Sequence, residues 1–149
     1  MTSPIQKVLF TGKTHTRLSQ AGSEAAKERL DIRLTTPNNP SQVHHFTHTQ
    51  PHPTAEQLFA GAWSACYISA LEVVAQSKQL TLPIDRVVEV EVDLGMAGSA
   101  YLLQARLMVL LPGLDASLAQ EIAHEADQIC PYSKATRGNI DVELKVFTS

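Results

Sequence analysis

Thr54-Ala55-Glu56-Gln57-Leu58-Phe59-Ala60-Gly61-Ala62-Trp63-Ser64-Ala65-Cys66 opens the longest helical pattern in the chain. Thr54 predicts an N-cap, and Gln57, three residues later, the partner that closes a capping box, with Pro53 just outside. The pattern runs on through Ala75 to Lys78, and between Leu58 and Ala75 the polar interruptions are Ser64, Ser69 and Glu72. A helix apolar nearly all round is buried on most of its faces. Ala60, Gly61, Ala62, Ser64 and Ala65 are small enough to let another backbone approach closely.

Outward from this helix the pattern changes to strands. Val8 to His15 starts one, and Arg29 to Thr35 alternates apolar and polar residues. Asn38-Asn39-Pro40 reads as a turn and Val43 to Thr49 as a short strand. Downstream, Leu82-Pro83 ends the helical element, and Val87 to Leu94 and Tyr101 to Leu111 form a hairpin about a turn at Gly95 to Ser99. Asp115 caps a second helix whose face is Leu118, Ile122, Ala126 and Ile129, and Pro131 stops it. In the last strand Ile140, Val142, Leu144 and Val146 point one way, and Asp141, Glu143 and Lys145 the other. The order predicts an α+β fold, a mostly antiparallel sheet packed on a long buried central helix, in one domain over residues 1–149.

A chain of 149 residues buries a core of its own, or one shared with a second subunit. Twelve basic against fifteen acidic residues favour neither nucleic acid nor an anionic membrane as partner. Met1 to Lys7 has no apolar signal segment, and no run is expected to span a membrane, so the expected compartment is the cytoplasm. Thiols there are kept reduced, and the two cysteines, Cys66 and Cys130, suggest thiol chemistry more than a structural staple.

Only the thiolate is a good nucleophile, and an ordinary cysteine is about 3% thiolate at pH 7. Cys130 ends a helix, where the dipole disfavours a thiolate. Cys66 lies mid-helix in apolar surroundings that raise its pKa, and becomes the attacker only if an arginine or lysine reaches it. For both cysteines the alternative is an inert core thiol.

Two motifs carry a family resemblance. Glu56 to Ala60 through Ala65-Cys66 resembles the first cysteine helix of the OsmC/Ohr family. Cys130-Pro131-Tyr132-Ser133-Lys134-Ala135-Thr136-Arg137-Gly138-Asn139-Ile140-Asp141-Val142 resembles the second cysteine motif of its organic hydroperoxide resistance branch nearly residue for residue. The similarity in element order runs from about Lys7 to Val146. It implies an intertwined homodimer with two interfacial sites, and a thiol peroxidase that reduces alkyl and fatty-acid hydroperoxides without metal or cofactor. It implies peroxidatic Cys66, resolving Cys130, an active-site carboxylate at Glu56, and regeneration by dithiols such as lipoyl groups on proteins. The family's arginine, usually in a Gly-Gly-Arg-Asp-Gly setting, meets a different sequence here, Thr14-His15-Thr16-Arg17-Leu18-Ser19-Gln20-Ala21-Gly22. Arg17 takes the role, with Lys13 as fallback; Arg29 and Arg33 fall in the next strand and are expected to face solvent.

Glu56 and Cys66 are ten residues apart, about 15 Å along one helix. Either the helix bends near Gly61, or Glu56 and its arginine come from the other subunit, the preferred reading. Glu56 as a plain N-terminal charge is the alternative. Leu58, Phe59 and Trp63 are expected either to line an apolar pocket for a peroxide tail or to sit in the core. Arg137-Gly138 either positions the second motif or makes a turn. His44, His45, His48 and His52 lie between prolines and read as a solvated loop rather than a metal site. Two rivals stand beside the peroxidase: an OsmC-type peroxidase of broader substrate range, and a dimeric redox-sensing or binding module without turnover.

Overall fold

Alternation along the first strand sets the architecture. In β1 (Lys7–Leu18), Thr14 and Thr16 turn inward and are buried, while Lys13 and His15 turn to the opposite face. The computed structural model describes residues 4–18, 30–35 and 54–149. β1 pairs antiparallel with β2 (Leu30–Thr35) and β3 (Val87–Ala97), β3 with β4 (Ala100–Leu110), and β5 (Asp141–Phe147) lies parallel to β4. The order is β2-β1-β3-β4-β5. The fold is α+β and mostly antiparallel, as expected; the final pair is parallel because two helices intervene between its strands. The expected turn at Asn38 to Pro40, the strand at Val43 to Thr49, Arg29, the side chain of Arg33 and the histidine segment lie outside the described residues.

One face of the sheet is covered by α1 (Ala55–Ser77) and α2 (Ala116–Ile129). Val88, Val90 and Val92 of β3 and Leu107 and Val109 of β4 meet Trp63, Tyr67, Leu71 and Val74 of α1 and Ala119, Ile122 and Ala126 of α2 in one core. The Tyr67 hydroxyl donates to the Ala123 carbonyl at 2.6 Å and joins the two helices. β1 passes close over the start of α1. Thr16 and Ser64 hydroxyls bond at 2.7 Å, and Gly12 lies where a side chain would strike the Glu56–Gln57 backbone. The opposite face is charged. Arg106 grips Asp93 through two nitrogens at 2.7 and 2.9 Å and Glu91 at 2.8 Å, and Lys13 bridges Glu89 and Glu91 at 3.1 and 3.2 Å.

α1 starts as expected. The Thr54 hydroxyl accepts from Gln57 N at 3.2 Å, and the Gln57 side chain accepts from Thr54 N at 2.9 Å. It ends at Ser77 with Lys78 as C-cap, where the pattern was expected to run out and before Leu82-Pro83. Gln79 takes a left-handed φ of 56°, Gln79 N donates to Gln76 O, and Leu80 N donates to Ala75 O, closing a Schellman motif without glycine. By length and composition α1 is apolar enough to cross a membrane, contrary to the expectation that no run would be; here it packs on the sheet and on α2. β3 continues through Gly95 to Ala97, so the hairpin turn shrinks to Gly98-Ser99, with Gly98 at the positive φ of 59° that such a turn requires at its first position.

Candidate active site

The two cysteines are 64 residues apart in sequence, and their sulfurs are 3.3 Å apart. Cys66 lies three residues beyond Trp63 and two beyond Ser64, at the edge of the buried face of α1, and is half-buried. Cys130 is fully buried. It is both the C-cap of α2, its N–H bonded to Ala126 O at 2.9 Å, and the N-cap of α3 (Pro131–Thr136). α2 stops just before Pro131, as expected, and Pro131 also occupies the first position of the next helix, where its missing N–H costs nothing. The chain turns at Cys130 between two helices, and its side chain is delivered to α1 from that corner.

Burial pushes the Cys66 thiol above its ordinary range, a backbone hydrogen bond from Tyr132 pulls it down, and the neighbouring Cys130 pushes it up again. The net is upward, and among the described residues no lysine or arginine is one of the groups acting on it. The condition set for Cys66 as attacker, a cation at its sulfur, is not met by these groups within one chain.

Arg17 is exposed near the end of β1. It pairs across with Val87 and follows Lys13 and His15 at two-residue steps, so strand alternation places it on the charged face, away from α1. Lys13, the fallback, is held by Glu89 and Glu91 on that same face. Within one chain, therefore, neither cation is brought to Cys66. Glu56 lies in the first turn of α1, which runs unbroken through Gly61, so the same-chain Glu56 stays about 15 Å along the axis from Cys66.

The three apolar candidates separate. Trp63 is buried in the core, edge-on to the Phe59 ring at 5.6 Å, and its indole N–H donates to the Ser133 hydroxyl at 3.1 Å. Phe59 is half-buried against the same core. Leu58 is exposed, and with Ala62, Ser69 and Val73 it forms a largely apolar stripe along the uncovered side of α1, which Cys66 borders. No metal-binding group of three or more ligands occurs among the described residues.

Around the cysteine pair the structure gives roles to Ser133 and Tyr67, which the motif reading did not single out, and decides that of Arg137. Ser133, one turn after Cys130, meets Trp63, and Tyr67, next to Cys66, holds α2. Arg137 donates to the Asp127 carbonyl at 2.8 Å and carboxylate at 2.9 Å, tying the end of α3 back to α2; it positions the second motif rather than only turning the chain.

Residues 47–145 match the model of the family described as OsmC-like protein. The chain is 35% identical to the organic hydroperoxide resistance protein of Xanthomonas axonopodis pv. citri, over 97% of this chain and 98% of that one. It is 38% identical to the organic hydroperoxide resistance protein OhrB of Bacillus subtilis, over 93% of this chain and 98% of the relative. The crystal structure of the Bacillus subtilis OhrB protein superposes with a TM-score of 0.60 at 39% identity, over 65% of this chain and 72% of that one. The motifs, the fold and these likenesses together place the chain in the OsmC/Ohr family, in its organic hydroperoxide resistance branch.

Proposed function

We propose that the protein is a cysteine-based peroxidase that reduces organic hydroperoxides to alcohols. The observation that carries the reading is the 3.3 Å contact between the Cys66 and Cys130 sulfurs. A disulfide needs about 2.05 Å, so the pair closes by about 1.2 Å, a side-chain movement. The relatives' names, organic hydroperoxide resistance proteins, supply the substrate class.

The Cys66 thiolate attacks the peroxide oxygen distal to the alkyl group. The O–O bond breaks, the alkoxide leaves and takes up a proton as the alcohol, and the sulfur, oxidised by two electrons, carries the hydroxyl as a sulfenic acid. The Cys130 thiol attacks that sulfur, water leaves, and a Cys66–Cys130 disulfide forms before further oxidation. An external dithiol, such as a lipoyl group on a protein, then reduces the disulfide and is itself oxidised to a disulfide.

Activation of Cys66 calls for a second subunit. Burial lifts its pKa, and the apolar stripe of Leu58, Ala62 and Val73 beside it is a face that a second copy covers. In such a homodimer the partner brings its own Glu56 and Arg17 to the first copy's Cys66, lowering its pKa and polarising the peroxide. The compartment that suits a thiol–disulfide cycle of this kind is the cytoplasm.

The test is dihydrolipoamide-dependent consumption of cumene hydroperoxide by wild type, Cys66→Ser and Cys130→Ser. Turnover in wild type, none in Cys66→Ser, and a single turnover without cycling in Cys130→Ser are expected. Equal rates with hydrogen peroxide would favour a broad OsmC-type peroxidase. A second reading, a redox-sensing module without turnover, is favoured by the raised Cys66 pKa. It wins if wild type is inert while both thiols titrate.

A further inference from the structure

α3 carries Cys130 at its start, yet it is only six residues long and is poorly supported from one side. A cavity of about 250 Å³ lies beside it, lined by Asp127, Ser133, Thr136, Arg137, Val142 and Leu144 among others. Packing against β5 is therefore incomplete, and directed contacts must hold the helix in place. Arg137 ties its far end to Asp127 of α2. Beside the contacts at the Cys66 sulfur itself, from Cys130 and from the Tyr132 backbone, a side-chain bond ties it to α1, the helix that carries Cys66: Trp63 Nε1 donates to Ser133 Oγ at 3.1 Å. Both partners are buried, so water does not compete for the bond. Trp63 is three residues before Cys66 and Ser133 three after Cys130, so the bond lies one turn from each sulfur and fixes the same helix-to-helix offset that the sulfurs need.

We infer that Trp63 and Ser133 are positioning residues for disulfide formation: their hydrogen bond holds α3 so that the Cys130 thiol stays within reach of Cys66. The inference rests on the peroxidase reading for its consequence, which is that the bond sets how much Cys66 sulfenate is resolved by Cys130 and how much is oxidised further to sulfinate by a second peroxide molecule. In that side reaction the second peroxide transfers one oxygen to the sulfur and leaves as alcohol.

The experiment has two arms on Ser133→Ala, Trp63→Phe and Ser133→Thr, each checked for a native circular-dichroism spectrum. In the first, equilibration with oxidised and reduced glutathione gives the effective concentration of Cys130 toward Cys66, a readout that needs no peroxidase activity. Ser133→Ala and Trp63→Phe are expected to lower it about tenfold, the size of effect one ordinary hydrogen bond has on an equilibrium. Ser133→Thr keeps the hydroxyl, its methyl entering the adjoining cavity, and is expected to restore it. In the second arm, the sulfinate fraction at Cys66 after a fixed dose of cumene hydroperoxide, read by mass spectrometry, rises by a similar factor in the first two variants and returns to the wild-type value in Ser133→Thr. An effective concentration within about twofold of wild type in folded Ser133→Ala and Trp63→Phe overturns the tether, whatever their melting temperatures. A changed effective concentration with no sulfinate in any protein, wild type included, upholds the tether and overturns the peroxidase reading instead.

Discussion

Replacing Gly12 by alanine tests the close crossing of β1 over α1. A Cβ there falls 2.4 Å from Gln57 N, 2.5 Å from the Glu56 carbonyl carbon and 2.9 Å from Gln57 Cα. All three are backbone atoms of the first turn of α1, so no rotamer change relieves the clash. Non-bonded atoms of this kind need about 3.5 Å, so strand and helix must part by about 1 Å. Overpacking of this sort costs about 1–3 kcal/mol. The shift also pulls on the Thr16–Ser64 hydroxyl bond of 2.7 Å two strand positions further along that face. Losing it adds about 1 kcal/mol. The sum, about 3 kcal/mol, corresponds to a Tm lower by roughly 6–12 °C for a chain of this size. Differential scanning calorimetry of Gly12→Ala reads it directly. A Tm within about 1 °C of wild type would mean that β1 does not cross α1 at this distance.

Two further outcomes are expected. Tyr67→Phe leaves the buried Ala123 carbonyl without its 2.6 Å donor; urea unfolding should show a loss of about 1–3 kcal/mol. Asp93 is held below the usual aspartate range because the hydrogen bonds from Arg106, Thr11 and Gln104 outweigh the opposing effect of burial, the largest single influence on it. A depressed folded pKa adds stability above the unfolded value, about 3.9, and that stability is lost as pH falls from there toward the folded value. Asp93→Asn should therefore lose stability at pH 7, by about 3 kcal/mol since it leaves Arg106 without its main partner. Its stability should also fall less steeply than that of wild type below pH of about 4, measured by urea unfolding across that range.

The start of α1 was legible residue by residue, because a capping box is a local code: Thr54 and Gln57 need nothing but each other. Its end near Lys78 was legible too, but the way it is capped was not, because the left-handed position is filled by Gln79, a residue without glycine's conformational signature. The hydrophobic alternation of β3 to β5 was visible for the same reason that it exists, one face buried and one charged. In β1 the code is hidden. Thr14 and Thr16 face the core and Lys13 and His15 the charged side, so both faces are polar. Which face Arg17 joins follows only from the register with β3. The cysteines stand out as a lone pair, helix position ranks Cys66 as a conditional attacker over Cys130, and the resemblance implies their peroxidatic and resolving roles. Their meeting at 3.3 Å depends on α2 and α3 folding back onto α1, a contact between distant parts of the chain that spacing alone does not encode.

The parallel pairing of β4 with β5 has a consequence for biosynthesis. The corner holding Cys130 lies inside the connection between those two strands, so it is anchored at both ends only after β5 has docked. On the ribosome β5 emerges after everything else in the domain. The nascent chain thus exposes Cys66 long before Cys130 has a fixed address, and the two thiols are matched only once the last strand has closed the sheet. Oxidation captured during translation and oxidation of the finished protein should therefore leave different products.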